Sequence, residues 1–269
     1  MLWTQYILAV SACILTISSA SADSVPITRQ DGLVWANVEC GTARLHFVVD
    51  TGAASSCINL STARRLHIPL GTPIGVAGVG GSTTGYECTG FRADAGTMAL
   101  PPDVVALDLS GPARACHQPI DGLIGADFFR GKVLRIDYAH GLLTRADEPS
   151  TGAPLRIEDG VICVQVAVNG AAPRWTRLDT GCTEALCWCD GADCRRSPAR
   201  KSIALAELTG TGIPESVAIG GTPIGDLPVK LQDRAIFPNE AGLLGNAALC
   251  HYTVTIDGIG NRLLLAAAP

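Results

Sequence analysis

Two acidic residues share the same immediate surroundings. Asp50 opens Asp50-Thr51-Gly52, and Asp179 opens Asp179-Thr180-Gly181. If folding brings them together, the chemistry on offer is that of a carboxyl pair. Two carboxylates about 3 Å apart cannot both ionise, so they share a proton. The charged member can act as general base on a water held between them. The protonated member can hydrogen-bond a carbonyl and later help protonate a leaving amine. This chemistry requires no metal or covalent intermediate, and no cofactor is expected. The neighbouring residues fit the same chemistry. Gly52 and Gly181 permit close backbone approach, so that main-chain N–H groups reach the carboxylates. A threonine hydroxyl both donates and accepts, so Thr51 and Thr180 can link the two loops.

The triplets are corresponding points of an internal duplication. Asp31-Gly32 opens the first copy and Asp159-Gly160 the second, each followed by an apolar run, Leu33 to Val38 and Val161 to Val168. A turn glycine, Gly41 or Gly170, stands nine residues before each Asp-Thr-Gly aspartate. Leu123-Ile124-Gly125 then corresponds to Leu243-Leu244-Gly245, and twelve residues past each glycine stands the aspartate of an Ile-Asp pair, Asp137 or Asp257. From the triplet aspartate to the later glycine is 75 residues in one copy and 66 in the other, a difference of loop length. Asp147 to Pro154 reads as a linker. The expected organisation is therefore a leader over 1–22, an N-terminal lobe over 23–150 and a C-terminal lobe over 151–269. Period-two patterns and frequent Gly and Pro predict strands throughout, with short helices after the triplets, for instance Leu60 to Leu66.

These motifs resemble those of the pepsin and retropepsin superfamily of aspartic peptidases. Phe47-Val48-Val49-Asp50-Thr51-Gly52-Ala53 is similar to that family's hydrophobic-hydrophobic-Asp-Thr-Gly motif. Asp121 to Gly125, and Leu243 to Asn246, are similar to its later hydrophobic-hydrophobic-Gly motif. The resemblance implies an all-β, two-lobed chain with retropepsin-sized β-barrel lobes, an interlobe cleft, and Asp50 and Asp179 as catalytic carboxylates. It also implies hairpin flaps, for which Gly78-Val79-Gly80-Gly81 and Gly210-Thr211-Gly212 are the candidates, with glycines 80, 81, 210 and 212 at the tips. Tyr86 is the tyrosine near the first flap. Three residues depart from the pattern: Ala53 stands where pepsins usually carry Ser or Thr, Cys182 follows the second triplet, and Arg177 interrupts the apolar strand before Asp179. The implied activity is hydrolysis of an extended polypeptide by a monomer. The alternative is a catalytically silent peptide-binding protein on the same fold.

The remaining features set the context. The 269 residues are 47% hydrophobic and 17% charged, enough to build a core, and a net charge of -5 gives no reason to expect nucleic acid. Tyr6 to Ile17 is apolar and is followed by Ala20-Ser21-Ala22, an A-x-A cleavage pattern that predicts export to a periplasmic or secreted location and no stable membrane span in the mature chain. Cys40, Cys57, Cys88, Cys116, Cys163, Cys182, Cys187, Cys189, Cys194 and Cys250 form an even set, which in an exported protein reads as disulfides of open pairing. Cys187 to Cys194 reads as a disulfide-tied loop, since its spacing matches no standard zinc pattern. His46, His67, His117, His140 and His251 lack H-E-x-x-H spacing and read as surface or packing residues. Neither a G-x-S-x-G nor a Walker loop is present. Asn59-Leu60-Ser61 is a formal glycosylation sequon.

Overall fold

A computed structural model describes residues 23–79, 81–146, 151–189, 201–203, 213–232 and 235–268. The leader over 1–22, Gly80, the linker residues 147–150, Cys194, and Gly210 and Gly212 of the second flap candidate lie outside them. The described chain is mostly strand, and its helices are short. The expected helix after the first triplet runs Leu60–Arg65. Asn59 caps it, its Oδ1 accepting from Ser61 N while its Nδ2 donates to Ile120 O at 2.8 Å. The sequon nitrogen is therefore already engaged inside the fold.

Each copy of the duplicated pattern forms the same antiparallel meander. In the first, Ser24–Gln30, Leu33–Cys40 and Ala43–Val49 follow one another, with Ile27 opposite Ala36 and Trp35 opposite Val48. In the second, Ala153–Glu158, Val161–Val168 and Arg174–Asp179 do so, with Leu155 opposite Val164 and Val164 opposite Thr176. Ala153 and Pro154, read from composition as the end of a linker, thus begin a strand. The Asp-Gly pairs explain the first turns. Asp31 and Gly32 have φ of 52° and 77°, and Asp159 and Gly160 have 50° and 81°. A two-residue hairpin loop with both φ positive matches the twist of its strands and favours this dipeptide.

The glycine motifs then add a parallel strand beside each Asp-Thr-Gly strand. Gly122–Ile124 pairs with Ala43–Val49, Leu123 opposite Val48 and Ile124 opposite Val49. Gly242–Gly245 pairs with Arg174–Asp179, Leu243 opposite Arg177 and Leu244 opposite Leu178. Counted back from the two aspartates, the registers are the same. The two glycine-motif strands are buried along their whole length, which is why they read as short continuous apolar runs. Glycine is required where the first of them meets Ala43–Val49: a Cβ on Gly122 would collide with the Phe47 ring and the Cys57 carbonyl.

A further sheet joins the copies. Ser24–Pro26 pairs with Leu142–Thr144, that strand with Val133–Asp137, Val133–Asp137 with Tyr252–Asp257, that strand with Arg262–Ala267, and Arg262–Leu263 with Ala153–Pro154. The two Ile-Asp strands are central and antiparallel, with Leu134 opposite Ile256 and Ile136 opposite Val254. Buried Leu134, Ile136, Leu143, Val254, Ile256 and Leu263 face the main core from this sheet. The anchors that identified the duplication in the sequence thus form the seam between its halves.

The first flap candidate is a hairpin. Pro73–Gly78 pairs antiparallel with Gly81–Cys88, Gly78 opposite Gly81. Gly81 adopts φ 134°, a region that glycine tolerates. Tyr86 lies opposite Pro73, at the base of the hairpin and far from its tip.

Candidate active site

Asp50 directly follows the strand Ala43–Val49, and Asp179 ends the strand Arg174–Asp179. Buried apolar neighbours hold both strands, so the triplets leave the core in fixed positions. Asp50 N donates to Ile124 O at 2.9 Å, tying the first loop to its glycine-motif strand. Both aspartates are fully buried. Asp50 Oδ1 accepts from Gly52 N at 3.0 Å and Ala53 N at 3.1 Å, and Asp179 Oδ1 accepts from Gly181 N at 2.9 Å. Each loop thus folds back so that its own amides point at its carboxylate. Ala53 supplies this contact through its backbone, so the absence of Ser or Thr there does not remove it.

The two loops are interlocked. Thr51 Oγ1 donates to Leu178 O at 2.8 Å, and Thr180 Oγ1 donates to Val49 O at 2.7 Å. Each hydroxyl also accepts from the other threonine's amide. Both threonines are fully buried. The glycines press against the opposite carboxyl. A Cβ on Gly52 would lie 2.5 Å from Asp179 Oδ1, and one on Gly181 would lie 2.6 Å from Asp50 Cγ. Only a hydrogen at these positions lets the two carboxyls approach each other.

Electrostatics follow from this packing. Burial pushes Asp50 up to about 6, against the amides of Ala53 and Gly52, the adjoining Asp179 carboxyl and the nearby Arg177 charge, which all favour ionisation. Asp179 is raised well above the ordinary carboxyl range, first by burial, then by the Asp50 charge and by Cys182. The Oδ2 atoms of both are buried and accept no hydrogen bond among the described residues. One proton on the pair is the arrangement that relieves both the repulsion and the desolvation.

Arg177 is the feature whose partners the sequence did not disclose. It is buried on the Asp179 strand, with Nε donating to Glu240 Oε2 at 2.7 Å and Nη2 to Glu240 Oε1. Nη1 donates to Gly52 O at 2.9 Å, and the guanidinium lies 3.6 Å from the Phe237 ring centroid. A charged residue inside an otherwise buried strand was the only signal, and nothing in the spacing pointed to Glu240 or Phe237. Arg177 also lines a 320 Å³ cavity between the hairpin residues Gly78, Val79 and Ser82 and the residues Val161 and Phe237 of the second copy. Neither Asp50 nor Asp179 is on its wall.

The disulfide expectation needs correction. Cys40, Cys57, Cys88, Cys116, Cys163, Cys182, Cys187 and Cys250 are free thiols. Several of them instead pack as small apolar side chains: Cys57, Cys88, Cys163, Cys182 and Cys187 are buried in the core clusters. Cys189 is disulfide-bonded. Cys182, next to the second triplet, has its thiol held in the protonated form by a hydrogen bond with Cys187 and by burial. Among the described residues no His, Cys, Asp and Glu group could hold a metal ion. His46 stacks on Trp35 with centroids 4.3 Å apart, and His140 contacts Asp137 at 2.8 Å. No helix of the described residues is long and apolar enough to cross a membrane.

Residues 34–128 match the family model described as aspartyl protease. The matched stretch contains Asp50-Thr51-Gly52 and the first glycine motif, and it supports the aspartic peptidase superfamily and a general aspartic-protease function. No curated protein matches the chain.

Proposed function

We propose, from the aspartyl-protease match and the paired carboxyl site, that the chain is an exported aspartic endopeptidase with Asp50 and Asp179 as its catalytic residues. One observation carries this reading: two buried Asp-Thr-Gly carboxyls from equivalent positions of a duplicated chain, each packed against the other's glycine. The lobes are residues 23–150 and 151–269, each supplying one aspartate. One chain then holds a whole site, which is the argument for a monomer.

In the proposed cycle Asp179 holds the shared proton, because burial and the Asp50 charge both favour its neutral form. Ionised Asp50 takes a proton from a water between the carboxyls as the water oxygen bonds to the scissile carbonyl carbon. Asp179 gives its proton to the carbonyl oxygen, yielding a neutral gem-diol. The C–N bond then breaks as Asp50 passes its proton to the departing nitrogen, and a gem-diol hydroxyl returns its proton to Asp179. The pair ends as it began, and the water has been divided between the new carboxyl and amine. The substrate lies extended under the Pro73–Cys88 hairpin and pairs with backbone as an added strand.

The test is cleavage of an unfolded protein across acidic to neutral pH by wild type, Asp50→Ala and Asp179→Ala. Cleavage by wild type alone is expected. Wild-type cleavage no greater than that of the two variants would refute the peptidase reading and leave the silent peptide-binding protein.

A further inference from the structure

Arg177 occupies the register position that Val48 holds in the first copy, two residues before the aspartate and opposite the leucine of the glycine motif. Val48 packs there in an apolar cluster with Trp35, Cys57, Val76 and Leu123. The second copy has replaced that apolar contact with a buried guanidinium. Burying such a charge is costly unless it is paired and fully hydrogen-bonded. The partners that offset this cost include a bidentate carboxylate, an aromatic face and a backbone carbonyl. That carbonyl belongs to Gly52, on the other copy's catalytic loop. The guanidinium reaches the loop directly, whereas Glu240 lies behind it.

We infer that Arg177 is a positioning residue for the dyad: its guanidinium fastens the Gly52 carbonyl of one Asp-Thr-Gly loop to the strand carrying the other, and it sets a buried positive charge two residues from Asp179. The inference rests on the aspartic-dyad reading of Asp50 and Asp179. It is specific to this chain's asymmetry, since the equivalent Val48 can do neither.

The groups facing this charge come from each neighbouring element. Cys163 lies opposite Arg177 on the strand Val161–Val168, Leu243 flanks it on the other side, and Arg156, Glu158 and Asp159 share the cavity wall with it. Phe237 and Glu240 approach from the segment before Gly242–Gly245, and Gly52 from the first loop. Around the dyad itself stand Cys182 and the amides of Gly52, Ala53 and Gly181. Cys182 in turn meets Cys187 and Glu184, the latter paired with Lys230. Arg177 is a cation that acts on both carboxyls, and it favours ionisation of each.

The test reads the dyad directly, by carbon NMR titration of the aspartate carboxyls in the full chain, with the pH profile of kcat/KM as second readout. Asp50→Asn and Asp179→Asn identify the two signals. Arg177→Met should raise the dyad's titration, and move both limbs of the profile to higher pH, by about one unit. The double variant Arg177→Met with Glu240→Leu removes the orphaned carboxylate, guards against misfolding, and should show a smaller shift in the same direction. Arg177→Lys keeps the charge and should titrate near wild type, with lower kcat from the lost fork of hydrogen bonds. An unshifted dyad in the double variant, or a Lys variant shifted as far as Met, would overturn the inference. If wild type cleaves nothing, the peptidase reading fails, while the titration still decides the role of Arg177.

Discussion

The amide of Thr51 donates to the hydroxyl of Thr180 at 3.0 Å, and the amide of Thr180 donates to the hydroxyl of Thr51 at 3.1 Å. Each hydroxyl passes its own hydrogen to a carbonyl of the opposite strand, Leu178 or Val49. Replacing either threonine by valine keeps the shape but orphans a buried amide and a buried carbonyl. Each such variant should lose about 1–3 kcal/mol of stability. The double variant should lose less than the sum, because the two hydroxyls serve one network. Urea unfolding measures this, and a loss below about 0.5 kcal/mol would show that the interlock does not hold the halves together.

Substitution of the carboxyls separates chemistry from folding. Asp50→Asn and Asp179→Asn should each lower kcat by at least about 10²-fold, the scale of a removed general acid or base, while the fold persists. Loss of activity from one variant alone would break the symmetry on which the mechanism depends.

The dyad should also make the protein less stable as pH rises. Folded Asp50 holds its proton up to about 6, against an ordinary value of 3.8, and Asp179 is shifted the same way. Between these values the fold binds more protons than the unfolded chain, so this contribution is fully present below pH 3.8 and is lost as pH rises through about 6 and beyond. Denaturation midpoints of wild type and of the Asp50→Asn, Asp179→Asn double variant across this window provide the check. The double variant should gain relative to wild type as pH rises. A constant difference would contradict the raised carboxyls.

Gly52→Ala and Gly181→Ala should be more damaging than their chemistry suggests. Each new methyl would meet the opposite carboxyl within 2.6 Å, so the loops must part. Activity should fall with stability, and the carboxyl titration should return toward ordinary values. A Gly52→Ala variant with wild-type turnover would show that close approach of the carboxyls is unnecessary.

Thiol counting tests the cysteine correction. Unfolded without reductant, the chain should react with a thiol reagent at the eight free cysteines at least. In the native state the half-buried Cys40, Cys116 and Cys250 should react ahead of the buried Cys57, Cys88, Cys163, Cys182 and Cys187. Fewer than eight thiols would restore the disulfide framework.

The sequence determined what is local or repeated. Asp31-Gly32 and Asp159-Gly160 specify tight turns because few other dipeptides tolerate two positive φ values in a row. The apolar runs specify buried strands, and the repeated triplets specify equivalent loops, since like sequences fold alike. The tertiary structure decided which distant groups meet. It set Gly52 against the Asp179 carboxyl, and it put the two Ile-Asp strands side by side. It also turned most of the described cysteines into buried or half-buried free thiols, because pairing depends on Cα separation and side-chain direction, which counting cannot give. Above all it decided the meaning of Arg177. In the sequence Arg177 only interrupts a strand; in the fold Glu240, 63 residues away along the chain, pairs with it and the Gly52 carbonyl accepts from it. A buried charge is tolerated only through partners delivered by the whole fold, and that is why no local pattern could have announced it.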